Sequence, residues 1–99
     1  KEIKIMVSDR MDFVKISDAI KKASGRVSLR GWVKRKREHK EKVFILLRDE
    51  TAEIQCVADS SKLVEKLWGE CEKVTIESSV ELAGSLYEDK RAPSGVELA

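Results

Sequence analysis

Over residues 26–36 apolar and polar positions alternate, Val27, Leu29 and Val33 pointing one way and Ser28, Arg30, Trp32 and Lys34 the other. This two-residue period predicts a long half-buried strand, and Gly31 within it marks a bend, a bulge or a close backbone approach. A polar turn over 39–42 leads to a second strand over 43–48, with Val43, Ile45 and Leu47 on one face and Phe44, Leu46 and Arg48 on the other. The chain turns at 49–52, and residues 53–57 form a third strand with Ile54 and Cys56 inward and Gln55 outward. From Ser60 the period becomes helical, placing Leu63, Val64, Leu67 and Trp68 on one stripe. Residues 79–87 return to alternation, with Val80, Leu82 and Leu86 inward and Gly84 in mid-strand, and 95–99 begin a fifth strand. Near the start, Ile3, Ile5 and Val7 suggest a further strand, and 17–25 a short helix with Ser17 or Asp18 as N-cap and Gly25 as its stop.

Three strands, a helix and two strands, with long glycine-bent first and fourth strands, follow the order of an OB-fold. The expectation is a mainly β, five-stranded Greek-key barrel with a helix between strands 3 and 4 and a short N-terminal helix. The 99 residues suffice for one domain, with 1–25 as an N-terminal extension and helix. The chain stops within or just after the last strand, which suggests an excised domain.

Composition narrows the class. Hydrophobic residues at 41% and charged residues at 38% belong to a soluble globular chain rather than a disordered one. No apolar run approaches the roughly 20 residues that span a bilayer, and the start has no signal-peptide core, so a cytoplasmic protein with no membrane partner is expected. Cys56 and Cys71 form no C-x-x-C pair, and with His39 the single histidine no ordinary four-ligand zinc site can be assembled. Two reduced, buried cysteines are expected rather than a disulfide.

The net charge of +2 conceals a strong polarity: residues 30–42 carry 7 basic and 2 acidic groups, and residues 43–99 carry 6 and 12. A nearly neutral chain thus concentrates positive charge in one stretch, which suits a local phosphate-binding surface as well as a solvated basic strand. Beside it lies an informative hairpin. A two-residue loop pairs Phe44 with Gln55, and a four-residue loop pairs Phe44 with Val57 and Leu46 with Gln55; either register puts Phe44 and Gln55 on one face. If Val43, Ile45, Leu47, Ile54 and Cys56 are core, Phe44 is exposed beside an amide; with the two faces inverted, it is core. An exposed ring stacks on a base for about 1–3 kcal/mol without sequence preference, and the amide can read a Watson–Crick edge. Lys34, Arg35, Lys36 and Arg37 adjoin this hairpin, but alternation forbids all four from touching one strand of RNA, and which pair faces it stays open. Trp32 is expected to serve packing or an interdomain contact more than stacking, Trp68 to be core and His39 to be solvated.

At Gly31-Trp32-Val33-Lys34-Arg35-Lys36-Arg37, Val43-Phe44-Ile45-Leu46-Leu47-Arg48-Asp49, Glu53-Ile54-Gln55-Cys56-Val57 and Arg91-Ala92-Pro93-Ser94-Gly95-Val96-Glu97-Leu98, the sequence resembles the anticodon-binding domain of aspartyl- and asparaginyl-tRNA synthetases. The match runs from about Gly25 to the end, covers most of the chain and keeps the four blocks in order. The resemblance implies that Phe44 stacks on the central uridine of the anticodon and that Gln55 hydrogen-bonds it. It further implies anticodon contacts by Arg35, Arg37 and Glu97, and an approach of Lys90 and Arg91 to the third base. Ala52 stands where the family usually has Gly, a departure that concerns turn geometry. The last block and Ile54-Gln55-Cys56-Val57 look more like asparaginyl enzymes, with aspartyl enzymes as the alternative. The resemblance implies tRNA as partner, a class II ligase as parent, a homodimeric parent and a monomeric fragment. ATP and magnesium would serve a separate C-terminal catalytic domain, and the 99 residues carry no catalytic site and no cofactor of their own. A free-standing single-strand binder would share the aromatic and the basic strand but bind any oligonucleotide equally. A protein-interaction module on the same fold would need neither.

Overall fold

The computed structural model describes residues 2–5, 13–63 and 65–99; Val7 and Val64 lie outside them. Strand β1 (Glu2–Ile5), helix α1 (Ile16–Lys22), strands β2 (Arg26–His39), β3 (Lys42–Arg48) and β4 (Glu53–Asp59), helix α2 (Glu65–Lys73), and strands β5 (Ser79–Glu88) and β6 (Val96–Leu98) follow one another along the chain. The sheet runs β1-β5-β2-β3-β4-β6, and an additional β5–β6 pairing closes β2 to β6 into the expected five-stranded barrel. Strand β1 lies parallel to the first half of β5.

The inward set is the one that alternation selects. Val27, Leu29, Val33, Val43, Ile45, Leu47, Ile54, Val80, Leu82, Leu86, Val96 and Leu98 are buried in one cluster. Phe44 is absent from that cluster and is half-buried on the opposite face of β3, so the faces are not inverted. Closure needs two close backbone approaches. A Cβ on Gly31 would meet the Arg48 carbonyl oxygen at 2.1 Å, and one on Gly84 would meet that of Ala99 at 2.5 Å. Both distances are far inside van der Waals contact, which accounts for a glycine in the middle of each long strand.

Both helices depart from their expected limits. The N-cap of α1 is Lys15, not Ser17 or Asp18, and it makes no side-chain cap. Instead, the Ile16 N–H donates to Asp49 Oδ2 at 2.9 Å and the Ser17 N–H to Thr51 Oγ1 at 3.0 Å. A turn distant in sequence therefore does the work of a local cap. The helix stops at Ala23, which adopts φ 55° and returns its N–H to the Ala19 carbonyl at 2.9 Å; Gly25, with φ 81°, belongs to the following turn. Helix α2 begins at Glu65 rather than Ser60, because Asp59 Oδ1 accepts both the N–H and the hydroxyl of Ser61 and holds this stretch as a turn. Trp68 packs against the core while remaining half-buried, and Cys71 and Val74 beyond it are fully buried.

The first hairpin is also tighter than expected. Strand β2 continues to His39, leaving Lys40 and Glu41 as the turn, with Lys40 at φ 56°. At the other end, Gly95 is a turn residue at φ 79° and the last strand starts at Val96. Cys56 and Cys71 are free and buried; burial pushes the Cys71 thiol up to about 11 and raises that of Cys56 as well.

Candidate nucleic-acid interface

Strict alternation from inward Val33 would send Arg35 and Arg37 into the barrel. The β2–β3 register prevents this: Val33 pairs with Leu47 and Arg35 with Leu46, leaving Lys34 as an extra residue. This β-bulge reverses the parity of the rest of the strand. Arg37 then stands opposite Phe44 and Arg35 opposite Leu46, while Lys36 falls opposite buried Ile45.

The four cations consequently divide. Lys34 Nζ binds Glu53 Oε2 at 2.6 Å, and this hydrogen bond holds the Glu53 carboxyl below its ordinary value. Lys36 donates to the Glu72 main-chain carbonyl near the end of α2 and lies 3.7 Å from Glu38. Arg35 and Arg37 are exposed. They are the pair that shares the outer face of the barrel with Phe44.

The turn at 49–52 selects the second of the two registers, with Phe44 opposite Val57, Leu46 opposite Gln55 and Arg48 opposite Glu53. Phe44 and Gln55 are therefore diagonal neighbours, about 7–8 Å apart along the sheet. The Arg37 guanidinium lies over the Phe44 ring, 4.4 Å from its centroid, a cation–π contact. Gln55 Nε2 donates to Glu97 Oε2 at 2.9 Å, across the parallel pairing of β4 and β6. Glu97 in turn pairs with Tyr87 on β5. Arg35, Leu46, Gln55, Glu97 and Tyr87 thus form one row across five strands. Tyr87 is the member that sequence reasoning missed: alternation after inward Leu86 turns it outward, but its place beside Glu97 depends on a pairing between strands joined by a long turn.

Lys90 and Arg91 are exposed in that turn between β5 and β6, away from the β2–β3 arginines in sequence but at the β5–β6 end of the row. Asp89 organises it, its Oδ1 accepting the Arg91 N–H at 2.9 Å and Arg91 Nε at 3.2 Å. The Asp89 N–H closes the turn on the Gly95 carbonyl at 3.0 Å. The Arg91 side-chain bonds hold the Asp89 carboxyl below its ordinary value. Trp32 is half-buried on the outer face, with the Arg48 guanidinium 5.8 Å from its ring centroid, and His39 is exposed.

Beneath this surface the β3–β4 turn is built on Asp49, 6% exposed. Its Oδ1 accepts the Thr51 hydroxyl at 2.6 Å and the N–H groups of Thr51 at 2.7 Å and Ala52 at 3.1 Å. Burial pushes the Asp49 carboxyl up, but these bonds and that from Ile16 together outweigh it, so the net shift is downward. Ala52 is accommodated here without the glycine usual in the resembled family. Among the described residues no three His, Cys, Asp or Glu side chains gather to hold a metal ion, and no helix is long and apolar enough to cross a membrane.

A five-stranded OB barrel whose outer face carries two exposed arginines, an arginine-capped phenylalanine and a row of hydrogen-bonding side chains defines a class: a module for holding a nucleic acid strand. The chain belongs to the tRNA anticodon family of OB-fold nucleic acid binding domains, whose model matches residues 27–99. It is 45% identical over 74 residues to the asparagine–tRNA ligase of Thermoplasma acidophilum, a match covering 75% of this chain and 17% of that protein. It is also 45% identical over 89 residues to that of Thermococcus kodakarensis, covering 89% and 20%. Among solved structures, asparaginyl-tRNA synthetase from Pyrococcus horikoshii superposes with a TM-score of 0.81 at 29% identity, covering 90% of this chain and 21% of the other. The chain therefore spans about one-fifth of the length of the curated relatives it matches.

Proposed function

We propose that the chain is the anticodon-recognition domain of an asparaginyl-tRNA synthetase and that its ligand is the anticodon loop of tRNA. The observation that carries this reading is the common face on which Arg35, Arg37, Phe44 and Gln55 meet. Phe44 offers a stacking surface once Arg37 swings from the ring toward a phosphate. Gln55 reads the stacked base and Glu97 aligns Gln55. Arg35 and Arg37 hold the backbone, and Lys90 and Arg91 approach a neighbouring nucleotide from the β5–β6 turn.

The parent is a class II ligase that joins asparagine to tRNA in the cytoplasm as a homodimer, and this domain alone is a monomer. ATP and magnesium would serve ligation in the parent's catalytic domain, and nothing in the recognition described passes through either. The asparaginyl relatives favour asparagine over aspartate as the parent's amino acid.

Binding to three anticodon stem-loops at one moderate salt concentration tests the reading: the asparagine sequence, the aspartate sequence, and one with the central uridine replaced. A preference for both uridine-containing loops is expected. Equal affinity for all three would make the domain a general single-strand binder, and no binding at all would make it a protein-interaction module.

A further inference from the structure

We propose that Tyr87 is a second base-stacking platform, one that holds a nucleobase flanking the central uridine. This rests on the anticodon reading above and adds to it a residue that neither the motif blocks nor the resemblance assigns to the ligand.

Tyr87 is 56% exposed, one of three large hydrophobic residues exposed among those described. The others, Val14 and Ile76, lie in connecting segments, whereas Tyr87 is a strand residue in register with the reading groups. Its backbone pairs with that of Glu97, and Glu97 pairs with Gln55, so the three side chains stand next to one another on one face. Two strand spacings, about 10 Å, separate the strand of Gln55 from that of Tyr87. Between them the Glu97 carboxylate is tied to the Gln55 amide, so the tyrosine ring and the Phe44 ring flank a continuous polar strip.

Leaving a ring exposed on a barrel strand forfeits the stabilisation of burying it. A ring placed beside the hydrogen-bonding groups of an OB-fold surface recovers that area when a base covers it, and such stacking tolerates any base because each has a π-face. Three residues further along, the turn presents exposed Lys90, a cation within the same local surface for the phosphate of the stacked nucleotide, beside Arg91, whose side chain is paired with Asp89. Phe44 and Tyr87 would thus hold two bases of one strand, with Gln55 and Glu97 between them.

The test uses the 99-residue chain with Tyr87→Ala and Tyr87→Phe, both checked for unchanged thermal unfolding. Four stem-loops are compared: the asparagine sequence, the same with the central uridine replaced by cytidine, and two with an abasic site at one or other flanking position. Tyr87→Ala should weaken binding to the intact loop roughly tenfold or more, Tyr87→Phe should bind as the original chain does, and the preference for central uridine should persist in both. On one of the two abasic loops the Tyr87→Ala effect should vanish. A uridine preference unaccompanied by any Tyr87→Ala effect, or an equal effect on the intact and both abasic loops, would overturn the inference and leave the anticodon reading standing. An original chain indifferent to the central base would overturn the anticodon reading, and the flanking-base assignment with it.

Discussion

Gln55 donates its amide N–H to the Glu97 carboxylate at 2.9 Å, and because a carboxylate can only accept, the amide oxygen is turned away toward the open face. An oxygen held there accepts from the N3–H of uridine and repels the unprotonated N3 of cytidine. Replacing Glu97 with Gln allows the amide to bind either way round. Glu97→Gln should therefore narrow the preference for central uridine over cytidine by roughly tenfold, the value of about one hydrogen bond, and mostly by improving cytidine binding. Titration of the two loops against each protein measures it; an unchanged ratio would mean that Glu97 does not position Gln55.

Phe44 belongs to the outer face and not to the barrel interior. Phe44→Ala should weaken binding to the asparagine stem-loop by about 1–3 kcal/mol while the thermal midpoint stays within a few degrees. A collapse of folding would identify the ring as structural.

The division of the basic strand predicts unequal salt responses. Substituting Arg35 or Arg37 with Gln should reduce the magnitude of the slope of log K against log salt by about 0.7 for each phosphate no longer neutralised. Lys36→Gln should leave that slope unchanged, because its ammonium is committed to the α2 carbonyl. A steeper loss for Lys36 than for the arginines would contradict the bulged register.

Asp49 supplies an acid-sensitive element. Its folded carboxyl titrates below the ordinary value of 3.8, so the unfolded chain takes up the proton first as pH falls. The stabilisation it gives is complete above that ordinary value and disappears as pH falls through the lower, folded one. Asp49→Ala should cost about 2 kcal/mol at neutral pH by removing bonds to three N–H groups, and the difference from the original protein should shrink under acid. Urea unfolding of both proteins at neutral and acid pH reads this directly.

Much of the barrel was legible because alternation is local: it sets Val43, Ile45 and Leu47 on one face and Phe44, Leu46 and Arg48 on the other without knowledge of their partners, and the shared face of Phe44 and Gln55 holds in either register, while which face is core came from the fold. Residues whose position depends on distant pairing were not legible. Nothing near Lys34 signals an extra residue, since the bulge answers to the register of β3, so alternation left the pair open; the resemblance pointed to Arg35 and Arg37, and the fold supplies the physical reason that they share the face of Phe44. Ser17 and Asp18 have the chemistry of N-caps, but Asp49 and Thr51, more than thirty residues on, take that role. The outward direction of Tyr87 follows from its sequence; its alignment with Gln55 follows only from the barrel's closure.

The β3–β4 hairpin that carries Phe44 and Gln55 is fastened at both ends. At 49–52 the Asp49 carboxylate joins it to the first turn of α1, and beyond Asp59 the Ser60 N–H binds the Glu41 carbonyl at 2.9 Å. In mechanical terms it is a beam clamped at each end rather than a free tongue. A flexible anticodon loop arriving on it supplies the ordering of its own nucleotides but not that of the protein surface, and so more of the contact energy appears as affinity.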